Sequence, residues 1–345
     1  MDKVTIIISN YNSLHWLRIC VHQIRKHTKI PYHILISEQS QDHYPVQAEY
    51  NGWDNVTVVP MDGHSSGYGT DYILKNMQID SEYICSMDVD TFPISDDWLS
   101  EPIRLLNQYD LTWVGLRAEI EAAYNLHYFH MGECYRIGRT KDFKLLSEGI
   151  GWAQVKGPEF RDNAVRAHSF EDANFKHKKF SFPVTGRIGL TRSEGEYGRV
   201  IGNLVIHFCF AFTSTLHQVP VKNMGEDYMT WEQKIKTLQP DELVSEIMSS
   251  VNYSNRLQPM QYWDGTDYAQ VPYELREDAK RIMKQSGHLD VSINDISSEL
   301  GIKIKGVIHI GANKGREYLE YSEDNISNVI FIEQNTFYFN KLIQE

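Results

Sequence analysis

Two rhythms of hydrophobic and polar positions alternate along the N-terminal part of the chain. Val4 to Ser9 is an unbroken, largely β-branched run, the pattern of a strand covered on both faces. Leu14, Leu17, Val21 and Ile24 then recur on one helical stripe, with Ser13 placed to cap its start. Residues 32–40 and 56–60 predict two more strands, 67–77 a helix opened by glycine, and 83–87 a fourth strand. Strand alternating with helix predicts a parallel α/β sheet. In such sheets ligands collect beyond the C-terminal ends of the strands. Ser9-Asn10-Tyr11-Asn12, Glu38 and Asp88-Val89-Asp90 all fall at such ends, so three polar clusters converge on one edge.

Further on, 100–109 predicts a helix, 111–118 a strand and 204–210 an apolar strand. Residues 226–251 predict two helices broken before Pro240, a residue suited to a first helical turn. Residues 252–271 look irregular, and 272–285 predict a helix. At Lys305 the pattern restarts: "GVIHIGANKGREYLEY" reads as strand, glycine loop and helix, and "NVIFIEQ" as a strand ending at Glu333. The expected organisation is one α/β domain over 1–222, a helical extension over 223–300, and the start of a second Rossmann-like α/β domain over 301–345.

Composition narrows the function classes. Hydrophobic residues make up 41% of the 345, enough for a packed core and too many for a disordered chain. The formal charge of −12 argues against a broad nucleic-acid surface and suits a site that holds a divalent cation. Cys20, Cys85, Cys134 and Cys209 form no CxxC pair, so buried free thiols are expected rather than a structural zinc. The apolar run near the N-terminus is too short for a signal peptide or a span, and no stretch approaches about 18 apolar residues. A cytoplasmic protein without a transmembrane segment is expected, with peripheral membrane association left open.

The segment "EYICSMDVDTFPISDDWL" (82–99) raises the chemistry directly. Alternate residues of an extended chain share a face, so Asp88 and Asp90 can turn toward one ligand. Two carboxylates that close repel one another. A Mg²⁺ or Mn²⁺ ion shared with phosphate oxygens removes that cost, and such ions favour oxygen ligands. The bland alternative is that both aspartates cap the turn before Pro93.

Several ordered segments resemble the GT-A glycosyltransferases, especially the large inverting family two. "VTIIISNYN" (4–12) looks like that family's opening strand: Tyr11 and Asn12 match, whereas Ser9 and Asn10 depart from it. The segment at 82–99 resembles its DxD motif, "YRIGRTKDF" (135–143) the stretch before the acceptor site, "SFEDANFKHK" (169–178) its E-D motif, and "LVIHF" (204–208) a later strand with a histidine. The resemblance implies that Asn10, Tyr11, Asn12, Glu38, Gly67 and Asp88 contact the nucleotide. It implies further that Asp88, Asp90 and His207 approach the metal, and that Asp172 is the base with Glu171 orienting it. A UDP-sugar is favoured as donor and a glycan hydroxyl as acceptor. "SSGYGTDYILKNM" (65–77) keeps Gly67 but lacks the alanine-arginine pair usual there, which leaves the nucleotide open.

Each of these residues has a plainer reading. Glu171 and Asp172 also suit the first turn of a helix, favoured by its dipole. His207 also suits a satisfied core histidine, and Trp152 suits an acceptor platform or a core. Glu226 or Asp227 is a rival base, and His217 a fallback ligand. Retaining chemistry, a sugar-phosphate nucleotidyltransferase and a non-catalytic glycan-binding scaffold are the competing functions. The nucleotidyltransferase would need a glycine-rich basic loop after the first strand, and "SNYNSLHW" has no glycine.

Residues 305–345 resemble the opening of FkbM-type S-adenosylmethionine-dependent methyltransferases, with Glu333 placed for the cofactor ribose. The resemblance implies a bifunctional glycosyltransferase-methyltransferase. S-adenosylmethionine (SAM) would bind only with the complete C-terminal domain, so no methyl transfer is expected from these residues alone.

Overall fold

A computed structural model describes residues 3–62, 66–117, 131–148, 177–189, 196–208, 233–253, 260–266, 268–285, 305–310 and 328–332. The chain divides into two compact units, 1–288 and 289–345.

The first unit is built on β1 (Val4–Asn10), β2 (Tyr32–Glu38), β3 (Val56–Pro60) and β4 (Tyr83–Asp88). β1 lies between β2 and β4 and pairs with both in parallel; β3 adds in parallel outside β2. Beyond β4 the sheet turns mixed. β6 (Trp113–Arg117) and β7 (Met131–Arg139) are antiparallel to each other, and β7 is antiparallel to β4. β8 (Lys179–Ser181), β13 (Gln261–Trp263) and β14 (Tyr268–Ala269) complete the order β14-β13-β8-β6-β7-β4-β1-β2-β3. The parallel sheet expected from the pattern thus holds for β1 to β4; beyond them β7 pairs antiparallel with β4 and β6, and β8 pairs parallel with β6. Apolar runs report burial on both faces, not strand direction.

Helices cover both faces. α1 (Leu14–His27), α2 (Tyr44–Tyr50) and α4 (Ser100–Gln108) pack with Val4, Ile6, Ile8, Cys85 and Met87 in the larger core. On the opposite face, α3 (Ser66–Asn76) and α5 (Thr140–Glu148) close over Ile7, Leu35, Ile84 and Trp113. The Phe143 ring meets Trp113 edge-on at 4.8 Å. Alternate residues of β1 feed the two cores, which is why its sequence shows no polar alternation.

A second sheet, in the order β12-β9-β10-β11-β5, packs into the larger core. Its strands are β5 (Thr91–Pro93), β9 (Val184–Gly189), β10 (Glu196–Ile201), β11 (Val205–His207) and β12 (Val251–Tyr253). β5 follows β4 after a two-residue turn, so the aspartates sit where the chain leaves one sheet for the other. Phe208 anchors this junction, 4.8 Å from the Trp16 ring and stacked on Phe92 at 6.3 Å. Pro93 lies in β5 and pairs with Val205, so the segment before it is a strand connection and not a free turn.

α6 (Pro240–Ser249) starts at Pro240 as expected, with a capping box between Gln239 and Glu242, and α7 (Tyr273–Gln285) follows. Three short strands fall in 251–269, where the pattern predicts irregular chain. They are held by partners remote in sequence: β12 by β9, β13 by β8. Ser13 stands at the N-cap of α1, but its hydroxyl donates to the Tyr11 carbonyl at 2.8 Å instead of capping the helix. Cys20, Cys85 and Cys134 are buried free thiols, and burial pushes the first two well up. Cys209 lies outside the described residues.

In the second unit β15 (Gly306–Ile310) and β16 (Asn328–Ile332) pair in parallel. No helix among the described residues is long and apolar enough to cross a membrane.

Candidate active site

The parallel register fixes what stands together at the strand ends. Ser9 is opposite both Asp88 and Ser37, and Asn10 is opposite Glu38. The next residues form a closely bonded shelf. Asn10 Nδ2 donates to Glu38 Oε2 at 2.5 Å, and the Ser40 N–H donates to Glu38 Oε1 at 2.8 Å. The Asn12 N–H in turn donates to Ser40 Oγ at 2.8 Å, and the Gln39 N–H to the Asn10 carbonyl at 2.9 Å. Asn12 has φ of 50°, the left-handed region that asparagine tolerates better than most residues. This conformation turns the chain from β1 into α1. Asn10 and Glu38 are fully buried, and Asn10 Oδ1 has no hydrogen-bond partner among the described residues. Glu38 therefore acts inside the shelf: both of its oxygens hold the loop that ends β1 and β2.

α3 closes the shelf from above. Gly67 is buried at its start, and Gly69 meets the end of β2 closely. A Cβ at Gly69 would stand 2.3 Å from Ser37 Oγ and 2.8 Å from Gln39 Nε2. Pattern reading picks out the first glycine of the Gly-Tyr-Gly triplet; the second is the one that lets helix and strand end meet. Gly69→Ala is expected to push α3 off β2 and to cost about 1–3 kcal/mol, the usual range for overpacking. Chemical unfolding would check this.

The carboxylates and the histidine come together across the two sheets. His207 on β11 is in register with Thr91 of β5, which places its ring beside the strand connection. Nε2 lies 3.7 Å from Asp90 Oδ1 and 4.0 Å from Asp88 Oδ2. The Phe208 N–H donates to the Asp90 carbonyl at 3.0 Å, which ties the histidine strand to the aspartate turn. Asp88 is 33% exposed, His207 15% and Asp90 5%, so a ligand reaches the group from the Asp88 side. Burial, with Arg199 nearby, holds the His207 imidazole down to about 3. It is thus neutral at ordinary pH, the form that binds a metal. One donor atom from each of the three residues fits within 4.8 Å. Two carboxylates and a neutral imidazole suit Mn²⁺, with the nitrogen ligand weighing against Mg²⁺.

Of the sequence-derived residues, the structure joins Asp88, Asp90 and His207 in one group and Asn10, Asn12 and Glu38 in the adjacent shelf. Tyr11 sits on the turn between them and Gly67 at the start of α3. Glu171 and Asp172 lie outside the described residues, as do Trp152, His217, Glu226, Asp227 and Glu333. Pattern reading missed Ser40, which the shelf is built around, and Gly69.

This arrangement, parallel strand ends with a hydrogen-bonded shelf and two aspartates at the exit of the fourth strand, accompanies a sequence match. Residues 5–151 match the family model of Glycosyl transferase family 2. The matched segment is a glycosyl transferase family 2 domain with the GT-A fold. Three solved structures are similar to the chain. One is the mannosyltransferase PcManGT from Pyrobaculum calidifontis in complex with GDP-Man and Mn²⁺, at 18% identity over 44% of this chain and 47% of that one, TM-score 0.33. Another is TarS 1-349 from S. aureus in complex with UDP-GlcNAc, at 14% identity over 48% and 52%, TM-score 0.36. The third is 4-diphosphocytidyl-2C-methyl-D-erythritolsynthase from Anaerococcus prevotii, at 15% identity over 50% and 83%, TM-score 0.37. The chain spans about half the length of the first two. Likeness at this level does not choose between sugar transfer and nucleotidyl transfer. No curated protein matches the chain.

Proposed function

We propose that this protein transfers a sugar from a nucleotide-diphosphate sugar, a UDP-sugar in the first instance, to a hydroxyl of a glycan acceptor. The observation that carries this reading is the Asp88–Asp90–His207 group beside the β1–β2 shelf, its two aspartates within the glycosyl transferase family 2 match and its histidine beyond it. Asp88, Asp90 and His207 would hold a divalent cation there, and such an ion would supply positive charge to a leaving diphosphate. The protein's own residues do the rest. Asp88 and Asp90 orient the diphosphate end of the donor, and the shelf of Asn10, Asn12 and Ser40 receives the nucleoside. An acceptor oxygen attacks the anomeric carbon as its bond to the diphosphate breaks. Asp172 takes the acceptor proton and Glu171 orients that exchange, so the anomeric configuration inverts.

The deciding experiment is thermal melting against a panel of sugar nucleotides, with and without Mn²⁺. A donor at a hundred times its dissociation constant adds about 2.7 kcal/mol to stability. The expected result is a shift for one donor that requires the metal. Asp172→Asn should keep that shift and lose transfer. No shift with any sugar nucleotide would favour the scaffold. Release of pyrophosphate from a nucleoside triphosphate and a sugar phosphate would favour the nucleotidyltransferase.

We propose in addition that the second unit is the start of a methyltransferase domain that a longer protein would complete. Its parallel strand pair supports this, because parallel neighbours require a crossover connection. Methyl transfer to product by these 345 residues would refute the need for completion.

A further inference from the structure

The second sheet continues the metal group in a direction the transfer chemistry above does not use. Thr91, His207, Arg199 and Arg187 are successive register partners on β5, β11, β10 and β9. Their side chains therefore share one face of that sheet. Neighbouring strands stand about 4.8 Å apart, so Arg199 is one step and Arg187 two steps from the metal-facing histidine. Arg199 is buried and Arg187 half-buried. Arg199 is the direct register partner of His207 across β10 and β11. At the near end of the row the Thr91 hydroxyl is buried with no hydrogen-bond partner among the described residues.

Two arginines directly opposite one another on antiparallel strands repel, and such pairs cost stability. Both also have other interactions; what singles them out is a register that leads away from the metal ligands. The order across the molecule is β2, β1 and β4 with the shelf and Asp88, then His207, then Arg199 and Arg187. The nucleoside end of a donor belongs on the shelf and its diphosphate at the aspartates. The arginine row continues from His207 along the second sheet, away from β4 and the shelf. A guanidinium fork matches the paired oxygens of phosphate or carboxylate. In a chain of formal charge −12, a local cationic row selects for a single anionic group and not for a long polyanion.

We propose that Arg199 and Arg187 bind an anionic group, phosphate or carboxylate, carried by the acceptor, so that the acceptor is a charged glycan or polyol. The word acceptor rests on the transferase reading; the anion site does not.

The test has two arms on the full chain. In the first, Asp90→Ala is used with a chelator, so that no metal-held anion contributes, and inorganic phosphate or glucose 6-phosphate is titrated against glucose. Both anions are expected to bind, glucose is not, and adding Arg187→Gln should weaken anion binding at least tenfold while Arg187→Lys retains part of it. Anion binding that is absent, or unchanged by Arg187→Gln, overturns the site. In the second arm, UDP with Mn²⁺ is titrated into the wild-type protein and into Arg187→Gln. Affinities within threefold support the acceptor assignment. A tenfold loss assigns the row to the donor diphosphate and overturns it. If the wild-type protein binds no nucleotide with Mn²⁺, the transferase reading fails and the acceptor assignment with it, while the first arm still decides the anion site. Arg199→Lys, milder at a buried position, serves as the check should Arg187→Gln fold poorly.

Discussion

Asp90→Ala is expected to lower sugar transfer by at least about a hundredfold, the scale on which electrostatic stabilisation of a leaving group is usually lost. Asp90 is the most buried member of the Asp88–Asp90–His207 group and faces Nε2 of His207 at 3.7 Å. Without it Asp88 and His207 remain, two donors on different sheets that no longer form a three-ligand group. The Mn²⁺-dependent shift in melting should vanish with the activity. Stability without metal should move the other way, staying level or rising, because one of two adjacent carboxylates has gone. A variant that melts normally yet keeps its metal-dependent donor shift would remove Asp90 from the site.

Glu38→Ala is expected to cost about 3 kcal/mol, because it strands two buried donors at roughly 1–3 kcal/mol each, Asn10 Nδ2 and the Ser40 N–H. For a unit of this size that is a fall of about 5–10 °C in melting temperature. Glu38→Gln, which keeps an acceptor oxygen, should cost less. A double-mutant cycle identifies the cause. Asn10→Ala added to Glu38→Ala should cost less than Asn10→Ala alone, since the amide has already lost its partner. Donor affinity should fall in proportion to the loosening of the shelf. Additive losses in the cycle would mean that Glu38 does not act through Asn10.

The legible parts of the molecule are those whose neighbours in space are also neighbours in pattern. β1 to β4 could be read because parallel strands buried on both faces leave continuous apolar runs. The aspartates could be read because a polar pair ended such a run, and His207 because an apolar strand carried it in the expected order. What escaped depends on partners far along the chain. β12 and β13 are three residues each and exist through β9 and β8. The antiparallel direction of β7 has no signature in hydrophobicity. α2 spans seven residues with only Val46 and Tyr50 buried, too few to mark a stripe. Ser13 matched the identity of a cap but was drawn to the Tyr11 carbonyl by the turn that Asn12 makes. The tight fit of Gly69 against Ser37 and Gln39 depends on residues remote in sequence, which no local pattern records.

The placement of His207 has a consequence for modularity. The family-matched stretch ends at residue 151, and the histidine that completes the three-residue group lies outside it, on a strand held by β5 and β10. The recognisable stretch is therefore shorter than the stretch that brings the three side chains together. Recombination that exchanged the recognisable stretch for a relative's would carry two aspartates into a setting without their third partner. The three-residue group thus straddles the end of the match, with both carboxylates before residue 151 and the imidazole after it.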